Sequence, residues 1–586
     1  MKYRAEIDGL RALAVLPVIF FHAGFAGFSG GFVGGDVFFV ISGYLITTII
    51  TSELEEGKFT IVNFYERRAR RILPALFVML LLCLPPAYLL LLPDPLENFG
   101  QSIVSTTLFS NNILLLLTAG YWDLASEYKP LLHTWSLAVE EQYYVIFPLL
   151  MIILWRVNKS IVEIVLLALA ALSFAFALAE SNKELAFFSL HTRGFEILSG
   201  ALLCKTFSRN NYPTTHNANN FMSFLGFLLI IFSIILFDEQ TPFPSFYTLA
   251  PVLGTCLIIH FTTPSTLLFR ILAHRYATSI GLISYSAYLF HQPILSFLRA
   301  STKSDLSDGT LILAVMLTFV LARLSYRFVE SPFRNRNIIN TNLLICITLT
   351  TGISLIALGL WINSSNGFNT RLYEEYNPLE KSKNLSKRAW TYSTTKFIDS
   401  ENPNVLVIGN SFGRDIVNVL TETYEVNNFN LVYSSTLSDC SLLEGPNRRL
   451  LEDSNLILFA SAYSDKNCIK SLLSMSSTDR SIYFMGGKQF GYNLNWILRV
   501  DKENRQLLRN LVTAEFSADE FELEKLIPEE NFISIVNPLI VDNEILITDG
   551  IGNLISDDRR HLTLSGARFI GEKVLMESTV NDFFDM

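Results

Sequence analysis

Long runs of apolar residues, separated by short polar loops, fill the chain up to about residue 363. A membrane span needs about 20 consecutive apolar residues, and twelve runs are long enough to consider. The pattern therefore predicts a polytopic bundle of membrane helices. The twelve runs cover residues 10–26, 31–50, 72–92, 101–118, 142–156, 160–179, 188–206, 221–237, 245–262, 278–298, 309–329 and 342–362.

The basic residues indicate which runs cross the membrane. If all twelve cross, the basic loops fall on alternate sides, although cytoplasmic loops normally carry the excess of Lys and Arg. If residues 101–118, the most polar run, do not cross, every basic cluster faces the cytoplasm. We therefore predict eleven spans, a cytoplasmic N-terminus and an external C-terminal domain. Residues 101–118 become a re-entrant or surface helix on the outer side, where polar backbone needs protein or water around it.

Beyond the last run the pattern changes. A polar stretch, residues 366–400, predicts a tether or an ordered extension. Short buried strands then alternate with amphipathic helices, which is typical of a parallel sheet covered on both faces. The predicted fold is thus an α-helical membrane bundle fused to a three-layer α/β/α domain. The predicted strands are Asn404–Ile408, Asn430–Tyr433, Asn455–Phe459, Ser481–Met485 and Phe532–Val536.

Composition supports this division. The chain has 586 residues, of which 50% are hydrophobic, so it is too long for one ordinary domain and is expected to lie largely in a membrane. Its net charge of −9 argues against nucleic acid as a partner. The N-terminus lacks the small-residue cleavage pattern of a secretory signal. The first membrane helix is therefore expected to act as an uncleaved insertion signal.

The cysteines indicate a possible disulfide and no metal site. Cys440 and Cys468 are the pair in the C-terminal domain, and they could form a disulfide if that domain faces an oxidising compartment. No CxxC pair or Cys/His cluster indicates a metal, so no metal cofactor is expected. The other four lie in apolar runs and are expected to be small core residues: Cys83, Cys204, Cys256 and Cys346.

Ionisable side chains in and beside the first apolar run predict a functional path. A helix turns about 100° per residue, so His22 returns to within roughly 20° of Arg11, about 16 Å further along the same face. Asp8 lies three residues before Arg11 and can pair with it. Ionisable groups inside a membrane are costly and usually mark function. The simpler alternative is a snorkelling Arg and a His bonded to a neighbouring helix.

A run of arginines at residues 67–71 precedes the third span on its cytoplasmic side. Such a run can orient a helix and touch anionic lipid. However, Arg68 and Arg71 are spaced i, i+3 and share one helical face, and the planar guanidinium group suits phosphate. The spacing therefore also predicts a binding site for a cofactor that carries phosphate.

Further polar groups lie in or beside later spans. His133 and Glu141 fall on a segment before the fifth run, where a His and carboxylates could handle protons. Trp135 and two tyrosines in the same segment are also typical of an interfacial aromatic belt. Arg193 and Glu196 are spaced i, i+3, and Tyr288 is followed by His291 within a span. Each could be an interhelical hydrogen bond, but together they predict a polar cavity through the membrane.

These motifs together resemble the acyltransferase-3 family, which comprises bacterial membrane enzymes that acylate envelope polysaccharides. The resemblance covers residues 1–336 and leaves 337–365 as an additional membrane helix. It implies transfer of an acetyl group from cytoplasmic acetyl-CoA across the inner membrane to a periplasmic sugar. The motifs are Asp8-Gly-Leu-Arg11…His22, Phe38-Phe-Val-Ile-Ser-Gly-Tyr-Leu45, Arg68-x-x-Arg71, His133-Thr-Trp-Ser…Glu141, Tyr288-Leu-Phe-His291-Gln-Pro293 and Arg327-Phe-Val-Glu330-Ser-Pro332.

From the residues and the resemblance together we assign roles. Arg11, His22 and Glu141 are predicted to be catalytic, with His22 as base or transient acyl acceptor. Arg68 and Arg71 are predicted to meet the phosphates of acetyl-CoA. The other predicted binding residues for acyl-CoA or substrate are Asp8, His133, Trp135, Arg193, Glu196, Tyr288 and His291.

The C-terminal domain carries a second candidate site. Ser411 follows a buried strand and a tight turn, at the edge of the sheet where α/β sites form. By itself it could simply be a helix N-cap. Asp558 and His561 are three residues apart and precede the final helix, so the three side chains could complete an acid–base–nucleophile set. Residues 401–586 resemble SGNH-type hydrolases, which often follow an acyltransferase-3 domain on the outer face.

The resemblance has one departure. The first block of SGNH hydrolases usually reads Gly-Asp-Ser, whereas this chain has Asn410 before Ser411. The donors that normally complete the oxyanion hole are not obvious. Asn410 and Gly486, with Gly487 and residues 461–463 beside them, are the nearest candidates.

The predicted function is therefore acetyl transfer from acetyl-CoA to a cell-envelope polysaccharide or lipid-linked glycan, with the C-terminal domain completing the transfer. Lipopolysaccharide O-antigen is the expected acceptor, although other lipopolysaccharide sugars, peptidoglycan and exopolysaccharide also fit. One alternative is a sugar or lipid transporter with a periplasmic binding module. Another is a membrane-anchored carbohydrate esterase, but an anchor needs one span and not eleven with aligned polar groups.

Overall fold

The computed structural model describes two compact units, called unit 1 and unit 2 below. Unit 1 comprises Met1–Tyr88, Leu96–Arg299 and Leu306–Ser364, and unit 2 comprises Leu89–Pro95, Ala300–Asp305 and Ser365–Met586. The described residues are 3–118, 126–208, 215–372, 382–399, 401–435, 448–460, 466–476 and 480–585.

Unit 1 is a bundle of α-helices. A π-helical turn, Tyr326–Glu330, joins two of them. The helices are α1 Ala5–His22, α2 Gly34–Glu55, α3 Ile61–Leu90, α4 Pro93–Thr107, α5 Asn111–Thr118, α6 Thr134–Val157, α7 Val162–Ala179, α8 Lys183–Phe188, α9 Leu190–Ser208, α10 His216–Leu236, α11 Leu249–Phe261, α12 Leu267–Leu272, α13 Arg275–Ala300, α14 Asp308–Ser325, α15 Ser331–Arg334 and α16 Thr341–Ser364.

Within the described ranges, seven helical stretches are long and apolar enough to cross a membrane. The other four predicted spans correspond to α1, α9, α11 and α13, which are shorter or more polar. The count of eleven spans stays a prediction. The seven stretches are Gly31–Glu55, Ile61–Leu90, Thr134–Val157, Val162–Ala179, His216–Leu236, Asp308–Arg334 and Thr341–Ser364.

Residues 101–118 do not form one helix. The chain breaks at Phe109, whose φ is 52°, and α4 and α5 lie on either side. The polar side chains of this stretch are satisfied within the bundle, since the Asn111 side-chain amide donates to Thr134 Oγ1 at 2.8 Å. Gln142 of α6 donates to Asn112 at 2.9 Å. Residues 101–118 thus form two short helical pieces, and their predicted place as a re-entrant or surface helix on the outer side stays a prediction.

Two helices begin earlier than the apolar runs that predict them. Helix α3 begins at Ile61, so the arginine run lies inside the helix and not before it. Helix α6 begins at Thr134, so the segment expected to precede the fifth run forms the first turns of that helix. In both helices, polar N-terminal turns continue directly into an apolar segment. A criterion based on apolar runs detects only the apolar segment.

Unit 2 contains a parallel five-stranded sheet with the order β2-β1-β3-β4-β6. Four of its strands match the prediction closely, but β6 ends after two residues, where Phe532–Val536 had been expected. A separate antiparallel sheet, β5-β8-β7, was missed because its strands are only two or three residues long. The strands are β1 Asn404–Gly409, β2 Asn430–Ser434, β3 Leu456–Ala460, β4 Ser481–Met485, β5 Arg509–Leu511, β6 Phe532–Ile533, β7 Ile540–Val541 and β8 Glu544–Leu546.

Alternate residues of the central strands enter two different cores. Val405 and Val407 of β1 pack into one core, and Leu406 and Ile408 pack into the other. The sheet is therefore covered on both faces, as the continuous apolar strands predict. The helices of unit 2 are α17 Ser382–Ala389, α18 Ser411–Thr423, α19 Arg448–Glu452, α20 Lys466–Leu473, α21 Ala514–Leu526, α22 Leu564–Ile570 and α23 Asn581–Phe584.

Candidate active sites

A cavity of about 230 Å³ lies within unit 1. Helices α1, α2, α3, α6 and α13 contribute to its wall. Its charged lining residues are Arg11, Arg68, Arg71 and Glu140. The rest of the lining is mainly apolar and includes Phe38, Phe39, Ile41, Leu45, Ile46, Ile49, Ile72 and Leu137.

The arginines of α3 divide into two pairs by helical face. Arg67 contacts Glu53 at 2.9 Å, and Arg70 contacts Glu66 at 2.8 Å. Arg68 and Arg71 instead line the cavity, as their i, i+3 spacing predicts. The Arg68 Nε atom is buried and has no hydrogen-bond partner among the residues that the structure describes. Two guanidinium groups in a mainly apolar cavity are suited to an anionic ligand such as a phosphate.

Arg11 and Glu140 complete the charged lining. Asp8 Oδ1 is 3.4 Å from Arg11 Nη1, so the predicted pair forms. Ser42 Oγ donates to Glu140 Oε1 at 2.9 Å. Glu141, the carboxylate predicted to be catalytic, does not line the cavity. Neighbouring residues on a helix point about 100° apart, so one of two adjacent carboxylates turns away.

Three histidines from different helices meet in unit 1. His22 of α1 and His291 of α13 have ring centroids 5.0 Å apart, and His133 lies 5.3 Å from His291. His291 Nε2 is 3.3 Å from His22 Nδ1. His133 and His291 are fully buried, whereas His22 is partly exposed.

Tyr288 joins the histidines to the cavity. Its ring lines the cavity and lies 5.3 Å from the rings of both His133 and His291. The Tyr288 hydroxyl donates to the His133 carbonyl oxygen at 2.8 Å and is 2.7 Å from Ser136 Oγ. Tyr288 and Ser136 thus line the cavity and also contact the His133 carbonyl oxygen.

His22 itself does not line the cavity. On α1, Val15 and Ile19 lie between Arg11 and His22, and both are fully buried in an apolar cluster with Ile283 of α13. Two apolar side chains therefore separate Arg11 from His22 along α1, and the functional path that their alignment predicts stays a prediction. The helical period correctly relates the two residues, but it does not determine which side chains fill the space between them.

Arg193, Glu196 and Trp135 form a separate cluster. Arg193 contacts Asp36 at 2.9 Å and Glu196 at 3.1 Å, and all three charges are almost completely buried. The Arg193 guanidinium also lies 5.6 Å from the Trp135 ring. None of these residues lines the cavity. A buried charge needs compensating partners, and Asp36, which the sequence analysis missed, supplies one from another helix.

In unit 2, Ser411 begins α18 directly after β1. Asn410 caps the helix, because its Oδ1 accepts the Phe412 N–H at 2.9 Å. The turn needs Gly409, since a Cβ atom there would lie 1.9 Å from the Ala460 carbonyl oxygen. Ser411 is partly exposed. Ser411 follows β1, and the order of the strands reverses beside β1. In open α/β sheets, ligands bind at this kind of position.

Asp558 and His561 form a dyad on one loop, as their spacing predicts. His561 Nδ1 lies 2.6 Å from Asp558 Oδ2, and Asp558 Oδ1 accepts the His561 backbone N–H at 2.7 Å. The His561 ring is 6.4 Å from the ring of Phe412, the residue after Ser411. Burial disfavours the imidazolium, but Asp558 outweighs it and raises the pKa of His561. Burial likewise opposes ionisation of Asp558, yet His561 lowers the pKa of Asp558 to about 2.

A buried ion pair next to this dyad was not predicted. Lys488 Nζ contacts Asp415 Oδ2, and both side chains are fully buried. The same carboxylate oxygen accepts the N–H of Leu562 at 3.2 Å. Asp415 therefore connects α18, which carries Ser411, to the loop of His561. The sequence did indicate that the Asp415 carboxylate would be buried, because Asp415 lies one turn after Ser411 on the apolar face of an amphipathic helix.

Two of the predicted oxyanion donors already donate their N–H groups to other residues of unit 2. The Gly486 N–H donates to the Ile533 carbonyl at 2.8 Å, and the Gly487 N–H donates to Glu520 at 2.8 Å. Because both groups are already used, Gly486 and Gly487 are not free donors. Residues 461–463 lie outside the described part of the chain. Cys440 also lies outside the described part of the chain. Cys468 is disulfide-bonded, and its pairing with Cys440 stays a prediction.

The dyad predicts a pH dependence for any ester chemistry at Ser411. His561 acts as a base only when neutral. Asp558 favours the protonated form, so the rate of 4-nitrophenyl acetate hydrolysis should rise with pH through a midpoint above about 6.5, the ordinary pKa of His. Asp558→Asn in the full-length protein should move this midpoint down and reduce kcat by about 10²- to 10⁴-fold. A Ser411→Ala control defines the background, and an unchanged midpoint would contradict the assignment.

The chain resembles known O-acetyltransferases. A family profile described as an acyltransferase domain matches residues 4–327. A peptidoglycan O-acetyltransferase of Listeria monocytogenes, OatA, is 32% identical over 355 residues, which are 58% of this chain and 57% of that protein. A candidate O-acetyltransferase of Staphylococcus aureus is 29% identical over 416 residues, 64% of this chain and 68% of that protein.

A third relative is a candidate peptidoglycan O-acetyltransferase of Bacillus subtilis, YrhL. It is 30% identical over 355 residues, which are 57% of this chain and 55% of that protein. The chain therefore spans only part of the length of these relatives. No solved structure matches the chain.

Proposed function

The chain belongs to the acyltransferase-3 family, and on that premise we propose that it is a membrane O-acetyltransferase with acetyl-CoA as donor and a cell-envelope glycan as acceptor. The observation that carries the proposal is the cavity in unit 1, within the matched domain. Its wall presents Arg68 and Arg71, which pair with no carboxylate among the described residues, beside a mainly apolar lining. Phosphates of the donor would meet the guanidinium groups, and its thioester arm would occupy the apolar part.

The reaction proposed in unit 1 is acyl transfer from a thioester. A hydroxyl group attacks the thioester carbonyl carbon while His22 accepts the hydroxyl proton. The new C–O bond forms, the C–S bond breaks, and the leaving thiolate takes the proton from His22. In this scheme Tyr288 and Ser136, at the edge of the cavity, face the acyl end of the donor. Arg11, held by Asp8, adds positive charge at the arginine end.

Unit 2 is proposed to complete the transfer on the outer side of the inner membrane. Ser411 would attack the acetyl ester formed in unit 1 while His561 takes the serine proton, and Asp558 would orient His561. The C–O bond of that ester would break, and the released hydroxyl group would take the proton from His561. A sugar hydroxyl would then attack the Ser411 ester while His561 takes its proton. The bond between the acetyl group and Ser411 would break, and Ser411 would recover its proton from His561. Exclusion of water from the ester decides transfer over hydrolysis.

An experiment can decide which cell-envelope glycan is the acceptor. Peptidoglycan is the first candidate, because two of the relatives carry that substrate in their names. Lipopolysaccharide O-antigen, expected from the sequence, is the second. Mass spectrometry of both glycans, from cells with and without this protein, should show O-acetyl groups on one of them only when the protein is made. Equal ester content in every glycan fraction would contradict the proposal.

A further inference from the structure

The hydrogen bonds of the histidine pair specify which ring nitrogens carry protons. His291 Nδ1 lies 2.6 Å from the Tyr288 carbonyl oxygen, which can only accept. His291 Nδ1 therefore carries a proton, and in the neutral ring Nε2 is left as an acceptor. That acceptor lies 3.3 Å from His22 Nδ1.

His22 Nδ1 is consequently approached by two acceptors. The second is the Val18 carbonyl oxygen, one turn earlier on α1, at 2.9 Å. A bare nitrogen facing two lone pairs would be repelled, so His22 Nδ1 must carry the proton and donate. The Nε2 atom of the neutral His22 ring is then unprotonated. The geometry thus selects one tautomer of His22 from two.

We infer that His291 is a positioning residue, which holds His22 in the Nδ1-protonated tautomer and stabilises the imidazolium that forms when Nε2 accepts a proton. The inference rests on the proposed acyl transfer. It assigns the reacting nitrogen of His22 as Nε2 and gives His291 a role other than binding substrate. In a serine hydrolase a carboxylate orients the base through the same nitrogen. Here the orienting partners are the Val18 carbonyl oxygen, at 2.9 Å, and a neutral imidazole from α13, at 3.3 Å.

The surroundings of the pair favour this role for His291. Its ring is fully buried and is held between Tyr288 and His133, whose ring centroids are each 5.3 Å away. Its Nδ1–H bond to its own helix fixes the ring orientation. Arg299, on the same helix, donates to the His22 backbone carbonyl at 2.6 Å and so ties the end of α1 to α13. His22 therefore meets His291 in a defined geometry.

Substitution of His291 tests the role of its Nε2 acceptor. A glutamine can place its amide oxygen where Nε2 lies, whereas a phenylalanine keeps the ring and removes the acceptor. With purified protein in nanodiscs, release of CoA thiol from acetyl-CoA gives kcat and KM. His291→Phe should lower kcat by about 100-fold with KM almost unchanged, and His291→Gln by about 10-fold. The matched control is His216→Phe, an exposed histidine at the start of α10.

The relative activities of the His291→Phe and His291→Gln variants distinguish a role of His291 in catalysis from a role in packing. If Phe retains as much activity as Gln, or if KM rises while kcat stays, His291 is a packing or binding residue and the inference is overturned.

Nitrogen-15 NMR of histidine-labelled full-length protein gives a second readout that needs no variant of His291. His22, identified by its loss in His22→Gln, should show a protonated Nδ1 and a bare Nε2, and the opposite tautomer would overturn the inference. Absence of CoA release by the unaltered protein would instead contradict the proposed function.

Discussion

Replacing His22 by alanine should reduce acetylation of the envelope glycan by about 10²- to 10⁴-fold, because this is the typical contribution of a general base. The loss should appear in kcat, since His22 lies outside the cavity that would hold the donor. Two measurements check it: the O-acetyl content of the glycan in cells, and release of CoA thiol by purified protein. His22 is partly exposed and contacts His291 through one ring nitrogen, so the substitution leaves the apolar core of α1 intact.

The matched control is His191→Ala in the same unit. His191 is exposed at the start of α9, and its ring lies edge-on to that of Phe176, with ring centroids 5.9 Å apart. Its removal should leave acetylation within about two-fold of the unaltered protein, as surface substitutions usually have small effects. Acetylation by His22→Ala at the level of this control would rule out His22 as the base. The cavity alone would then have to account for transfer.

The double substitution Arg68→Ala and Arg71→Ala should raise KM for acetyl-CoA by about 100-fold or more. A hydrogen bond to a charged group contributes about 1.5–3 kcal/mol, and about 1.4 kcal/mol corresponds to a factor of ten. Two such bonds to phosphate therefore suffice for this effect. The turnover of bound donor should change less than KM, because these side chains would hold the phosphates and not the thioester.

Arg67→Ala is the control for this experiment. Arg67 lies in the same run, but it forms a partly exposed ion pair with Glu53, and ion pairs in contact with solvent contribute about 0–1 kcal/mol. Its loss should leave KM almost unchanged. The run could also orient α3 in the membrane, so accessibility of cysteines introduced into the loops must be the same in the double variant and the unaltered protein. An unchanged KM with unchanged orientation would show that Arg68 and Arg71 do not bind the donor.

Several features of the site follow from local spacing and were predicted correctly. Arg68 and Arg71 share a face because they are three residues apart on a helix, and the Asp558–His561 dyad forms because one short loop carries both. The same holds for β1 and the turn into Ser411, since a continuous apolar run followed by Gly and Asn indicates a buried strand and a helix start. In each case the residues that interact belong to one element or to its immediate neighbour.

Other features depend on which helix faces meet. Helix α6 offers two adjacent carboxylates, and only its packing places Glu140 in the cavity and Glu141 outside it. Arg193 finds Asp36 at a separation of 157 residues. Lys488 finds Asp415 at a separation of 73 residues. No periodicity within a single segment encodes such pairs, because a helical period gives the angle of a side chain about its own axis and leaves its neighbour undetermined.

By itself the sequence determined the membrane bundle, the parallel sheet, the pair of arginines that share a face and the dyad on the final loop. Each of these is a property of an apolar period or of a spacing of three residues. Only the tertiary structure decided that His22 meets His291, 269 residues away, and that Val15 and Ile19 separate His22 from Arg11. Those outcomes arise from the packing of α1 against α13, where side chains from two distant segments compete for the same space.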